Sequence, residues 1–232
     1  MPLLSTLLQM DSGYYNYGTP PVTGTGAAAS FVYTSNQYLR TPGSVDFAPG
    51  TGNFTIEWFQ YLTTVGSYPR IFSVGAYPNC SVGVSIEGGT LYVWLASGYR
   101  LSVSLTSYTN VWIHFAIVRN GTSLVLYRNG TSITSTTNSS NITNSSSQLN
   151  IGSEGTTTTD ASYGGYLSNF RWTNSAVYTS NFTKPTAPLT TLPDTKLLLR
   201  FSSAGSLLTD SSGTGKTVTN VNSVSWINSN PF

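Results

Sequence analysis

The sequence predicts an all-β protein, a β-sandwich or jelly roll. Three observations carry that prediction. Runs of β-branched and aromatic residues recur along the 232 residues, separated by clusters of Gly, Asn, Ser and Pro. Helical periodicity is almost absent. Only 8% of residues are charged while 39% are hydrophobic, so Ser, Thr, Asn and Gly must make the solvated surface, and these suit strands and turns.

The elements follow in chain order. Residues 1–30 read as an irregular N-terminal arm, rich in Gly, Thr and Pro from residue 11 onward, with Tyr14, Tyr15 and Tyr17 available for burial. Residues 31–232 read as one domain. FTIEWFQYL (54–62) opens its strands, followed by RIFSV (70–74), VGVSI (82–86), TLYVWL (90–95) and LSVSL (101–105). Trp58, Trp94, Trp112 and Trp172 all fall within strands, as expected of core or inter-sheet filler. The tetrapeptide RNGT occurs at 119–122 and again at 128–131. Asn-Gly tolerates positive φ and favours two-residue hairpin turns. VWIHFAIVR, SLVLYR and TSITST therefore form a three-strand meander turning at Asn120-Gly121 and Asn129-Gly130. In its middle strand Leu124 and Leu126 share one face, and Val125 and Tyr127 the other. A polar loop (137–147), strands at 148–151 and 165–172, and a long crossing connection at 173–194 with three prolines come next. A strand at 196–201 begins the segment 195–232 that closes the domain.

Composition excludes several functions. The net charge is +2 and the ten basic residues are scattered, so no tract exists to neutralise a phosphate backbone and no nucleic acid is expected as partner. Cys80 is alone, so stability rests on packing rather than on an intrachain disulfide. One Cys and one His, His114, cannot supply a usual zinc set. His114 alternates with Ile113 and Phe115 and reads as a strand histidine with a local hydrogen bond. No run approaches the ~20 apolar residues of a membrane span, so no membrane insertion is expected. The start, MPLLSTLLQM, lacks the basic flank and apolar length of a signal peptide. Release by lysis or assembly into a particle is the expected route to an extracellular site.

FVYTSNQYLRTPGSVDFAPGTGNFTIEWFQYL (31–62), VWIHFAIVRNGTSLVLYRNG (111–130) and GGYLSNFRW (164–172) resemble, in that order, motifs of the laminin G-like, concanavalin A-like lectin/glucanase superfamily. The tail, with DSSG at 210–213, resembles the element that usually opens such a domain, here placed at the end. That arrangement is similar to laminin G-like modules of phage and giant-virus structural proteins. The resemblance implies a jelly roll of two antiparallel sheets.

Glycoside hydrolases of the superfamily need two carboxylates at controlled separation and place them close together on one strand. The eight carboxylates here show no such cluster, and Glu57 stands alone between Ile56 and Trp58, so no catalytic residue is assigned. Glycan recognition commonly uses an aromatic platform beside amides and hydroxyls. The loop candidates are Tyr77 with Asn79, Tyr99 with Arg100, and Tyr163, with Tyr68 and Tyr108 in similar settings. Relatives also often hold calcium at the sandwich rim. Here Glu154 and Asp160 would be its ligands, the alternative being an ordinary solvated loop. No cofactor is required. The resulting expectation is a non-enzymatic binding and structural module on a virion or extracellular particle surface, either tail or fibre part or capsid-associated. It would contact glycans, such as cell-surface polysaccharide, or neighbouring subunits. A free secreted lectin is the alternative, and a glycoside hydrolase the third reading.

Overall fold

The computed structural model describes residues 27–105, 107–156 and 161–232. Among these, two antiparallel sheets stack face to face. The first has eight strands: β1 (Ala28–Phe31), β3 (Phe54–Thr64), β8 (Trp112–Asn120), β9 (Ser123–Arg128), β10 (Thr131–Thr137), β12 (Gly164–Thr173), β13 (Thr195–Leu199) and β15 (Ser225–Ile227). Its order is β10-β9-β8-β3-β12-β1-β15, with β13 also paired to β12. The second has seven: β2 (Tyr38–Thr41), β4 (Arg70–Val74), β5 (Val82–Glu87), β6 (Thr90–Leu95), β7 (Gly98–Ser104), β11 (Leu149–Ile151) and β14 (Thr219–Val221). Its order is β14-β2-β11-β4-β5-β6-β7. The all-β sandwich expected from the sequence is what the chain forms.

Strand alternation builds the core. On β3, Phe54, Ile56 and Trp58 point inward, joined by Phe115 and Ile117 of β8 and Phe170 and Trp172 of β12. Phe72 of β4, Val84 of β5 and Val93 of β6 meet them from the other sheet. Trp58 and Phe170 both pack edge-on against Phe72, at ring centroid distances of 5.7 and 5.3 Å. Arg119, one residue before the end of β8, lies inside this layer, 1% exposed. It donates to three backbone carbonyls, those of Gly50, Gly52 and Ser140, at 2.7–2.8 Å. One buried guanidinium thus ties two loops to the sandwich.

The meander β8-β9-β10 forms with the predicted faces: Leu124 and Leu126 enter the core, while Val125 and Tyr127 pack on the outside. Its two turns differ, and one is displaced from the expected position. Asn120 still pairs with Ser123 inside the ladder, so the first turn is Gly121-Thr122, with Gly121 at φ 60°. The second is Asn129-Gly130, with φ 50° and 83°, the geometry of a type I′ turn. The repeated tetrapeptide therefore makes two different turns.

Among the described residues, strand pairing starts within the stretch read as an arm. Ala28–Phe31 forms β1, whose small side chains fit between β12 and β15, and Ala28 and Ala29 are fully buried. Tyr14, Tyr15 and Tyr17 lie outside the described residues.

Three one-residue bulges decide which charged and aromatic groups leave the core. On β4, Ile71 is the extra residue between the pairs Arg70–Ser85 and Phe72–Val84, so Ile71 and Phe72 both turn inward and Arg70 turns out. On β7, Arg100 is extra between the pairs Leu101–Val93 and Tyr99–Trp94, which sets Tyr99 beside Trp94. On β12, the step from Ser168 to Arg171 spans one residue more than its partner step from Phe59 to Glu57. Arg171 thereby turns to the outer face next to Glu57.

Candidate functional site

The outer face of β4–β7 carries an open cavity of about 420 Å³, within the ~300–1,000 Å³ usual for ligand sites. Its floor comes from alternate positions of β5 and β6: with Val84, Ile86, Leu91 and Val93 committed to the core, Ser85, Glu87 and Trp94 must face out. Tyr77 and Trp94 meet edge-on at 5.8 Å, Trp94 and Tyr99 lie 3.9 Å apart, and Tyr92 flanks Tyr99 at 4.6 Å. Tyr68 and Ala161 complete the lining. Gly83 is obligatory beneath this floor, because a Cβ there would sit 2.8 Å from the Cys80 Sγ. Burial pushes the Cys80 thiol up to about 12, which leaves it a packing group.

Polar groups border the rings. Arg70 bridges two carboxylates, its Nη1 3.3 Å from Glu87 and its Nε 3.3 Å from Glu154, while its guanidinium lies 5.7 Å from the centre of the Trp94 ring. Glu87 accepts from the Tyr99 hydroxyl at 2.6 Å and from Ser85 at 2.9 Å. Ser85 in turn accepts from the Trp94 indole at 3.0 Å. The Tyr77 backbone N–H donates to Glu154 at 3.3 Å. Burial and the bond to the Glu87 carboxylate raise the Tyr99 phenol pKa, so it stays protonated and a donor. The arrangement is a pre-organised aromatic platform with hydrogen-bonding groups locked at its side.

The sequence candidates sort clearly. Tyr77 and Tyr99 meet in this groove, with exposures of 62% and 45%. Asn79 is exposed on the loop beyond Tyr77, outside the lining. Arg100, the bulge residue, turns away and donates to the Leu95 carbonyl at 3.1 Å. Tyr163 is a correction: it is fully buried and packs edge-on against Phe31. A short segment flanked by Ser and Gly looked like a surface loop, but it lies against the core. Trp94 is a second correction, since it floors the groove rather than filling the space between sheets. Trp112 lies on the outer side of the other sheet against Tyr61, whereas Trp58 and Trp172 are core. Tyr108 packs beside the core with Arg128 4.0 Å over its ring.

Glu154 reaches the groove as an ion-pair partner, and Asp160 lies outside the described residues. Among the described residues no group of three or more His, Cys, Asp or Glu side chains gathers in metal-binding geometry. Arg70, Glu87, Trp94 and Ser85 were missed from the sequence. Their strands were identified; the bulge that turns Arg70 outward was not.

A second polar cluster lies on the opposite face of the molecule. Glu57 accepts from Arg171 Nε at 2.9 Å and Tyr178 Oη at 2.9 Å, and its Oε2 is 3.0 Å from His114 Nε2. Glu57 and His114 are fully buried. Burial would raise the Glu57 pKa, but the His114 hydrogen bond and the Arg171 charge outweigh it and hold the carboxyl below its ordinary value. The expected local partner of His114 is therefore Glu57, and Glu57 is not isolated in space. The crossing segment 174–194 covers the cluster. Its Tyr178 and Phe182 stack at 3.6 Å, and Asn181 and Phe182 bond to Ser132 and Gly130 beside the second hairpin turn.

A two-sheet sandwich with an open aromatic groove on one face has the architecture of the lectin-like β-sandwich proteins. Residues 33–181 match the laminin G-type model described as the concanavalin A-like lectin/glucanases superfamily, and the chain belongs to that superfamily. No curated protein sequence matches it. Among solved structures it is similar to a Bacteroides ovatus ATCC 8483 protein provisionally assigned as carbohydrate-binding, with TM-score 0.65 and 17% identity over 86% of this chain and 61% of that one. The chain thus spans about three fifths of that protein. It is similar to a heptameric SAP-like pentraxin from Limulus polyphemus, with TM-score 0.62 and 16% identity over 92% and 99% of the two chains. It is also similar to the CBM40 of a Ruminococcus gnavus IT-sialidase bound to α2,3 sialyllactose, with TM-score 0.51 and 11% identity over 68% and 95%. At these identities the likeness is one of fold.

Proposed function

We propose that the chain is a non-catalytic carbohydrate-binding module, displayed on a virion or similar particle surface, and that the β4–β7 groove is its glycan site. One observation carries the binding part: exposed Tyr77 and Tyr99 frame Trp94 in an open cavity beside locked hydrogen-bonding side chains. Sugar rings present apolar C–H faces to such rings and hydroxyls to such polar groups. The carbohydrate-binding neighbours support the same reading. A glycan array tests it. Binding should appear for at least one oligosaccharide class and fall on Tyr77→Ala and Tyr99→Ala; silence across a broad array would overturn it.

The non-catalytic part rests on Arg70, which pairs with both groove carboxylates, and on the Tyr99 and Ser85 hydroxyls that occupy Glu87. Polysaccharide turnover that Glu87→Gln abolishes would revive the hydrolase reading. Particle display rests on the weakly charged composition of the chain, which suits close packing among subunits. The protein should sediment with particles from its source, as a tail, fibre or capsid-associated component. Recovery solely as free soluble protein would favour the secreted-lectin alternative.

A further inference from the structure

We infer that the groove selects neutral and amino-bearing glycans and rejects acidic ones, an inference that rests on the groove being a glycan site. Among its described lining residues are two carboxylates, Glu87 and Glu154, and one guanidinium, Arg70. Arg70 is spent on both carboxylates, so it is not free to fork onto a ligand carboxylate or sulfate, and one negative charge remains. Arg100, the nearest other cation in sequence, is committed to the Leu95 carbonyl.

The lone pairs point the same way. Tyr99 donates its hydroxyl proton to Glu87, Ser85 does likewise, and the Trp94 indole proton is used by Ser85. These three groups have thus consumed their donors internally, while the Tyr68 and Tyr77 side chains on the same lining are exposed. Beside them stands a carboxylate oxygen, Glu154 Oε1, whose contact from the Thr156 hydroxyl is a long 3.4 Å. A ligand group that meets Glu154 Oε1 must therefore bring a donor. Sugar hydroxyls do so, and a hexosamine ammonium does so with charge, while the Trp94 and Tyr99 faces add cation–π attraction. An acidic sugar meets an unbalanced negative charge with no free guanidinium to receive it.

Titration calorimetry on the intact chain, at low ionic strength, tests the inference with three probes of equal length: glucosamine oligomers, N-acetylglucosamine oligomers and galacturonate oligomers. The expected order is amino over neutral over acidic, with about a tenfold step between amino and neutral probes that shrinks as salt is raised. Glu154→Gln, which keeps an acceptor for Arg70 and the Tyr77 N–H, should level the first two. Tightest binding of galacturonate, or an amino preference unchanged by Glu154→Gln, would overturn the charge selection while leaving the glycan reading standing. Silence from all three probes, together with a silent glycan array, would overturn both.

Discussion

The two outer faces of the sandwich carry the same chemistry to different ends. Each has a glutamate–arginine pair set among aromatic rings, and each arginine reaches its face through a one-residue bulge. On the β3–β8–β12 face, Glu57 and Arg171 are 0% and 3% exposed, because residues 174–194 lie across them. On the β4–β7 face, Arg70, Glu87 and Glu154 border an open cavity. Residue type therefore does not separate a structural cluster from a recognition site here. The covering chain does. A sealed pair serves to anchor that chain, through Tyr178 on Glu57 and the Thr190 carbonyl on Arg171. An uncovered pair holds rings and acceptors ready for something else.

The sharpest way to break this comparison is to remove one glutamate from each face. Glu57→Ala leaves the Arg171 charge buried without its partner and should cost ~3–5 kcal/mol of stability by urea unfolding. Glu154→Gln should cost ~1 kcal/mol or less, since its hydrogen bonds survive. Equal costs would dissolve the distinction. Next in size, Tyr99→Ala should weaken glycan binding by ~2 kcal/mol, roughly 30-fold, by calorimetry. Tyr178→Ala should lower the melting temperature and leave that affinity unchanged.

The hairpin turns give a smaller test of the covering segment. A Cβ on Gly130 would fall 1.9 Å from the Phe182 carbonyl oxygen, whereas nothing lies within 4 Å of one on Gly121. Both substitutions carry the ~1–2 kcal/mol penalty of positive φ. Gly130→Ala should add at least ~1 kcal/mol for displacing the segment, measured as the difference between the two unfolding midpoints. The mildest effect is that of pH. The Glu57 carboxyl is held below its ordinary value of 4.5, so its contribution is complete above that pH and is lost as pH falls through the lowered value. Unfolding curves between pH 5 and 2 should flatten in Glu57→Gln relative to the parent chain.

The strands were largely legible because their apolar residues alternate with period two. VGVSI and TLYVWL could be read directly as strands, and Leu124 and Leu126 were placed on the correct face. Parity across a bulge was not legible. Ile71 and Phe72 are adjacent apolar residues, and nothing in RIFSV says that both turn inward and release Arg70. Tyr99 and Arg100 have the same ambiguity, and there the bulge selects the tyrosine. Gly121 and Gly130 sit in identical tetrapeptides, yet ladder register moves the first turn by one residue. Tyr163 was misplaced because burial of a tyrosine between Ser and Gly depends on what packs over it, here Phe31 from more than a hundred residues away.

The last strands of the chain have a consequence for how the molecule is made. β15 supplies the outer neighbour of β1, and β14 supplies that of β2. Two strands from the start of the sandwich thus wait for residues 219–227 before their second ladders form. Until then the nascent chain presents bare backbone edges of the kind that recruit other copies in a crowded polysome. The hydroxyl-rich, weakly charged sequence must tolerate that interval, or a chaperone must guard it.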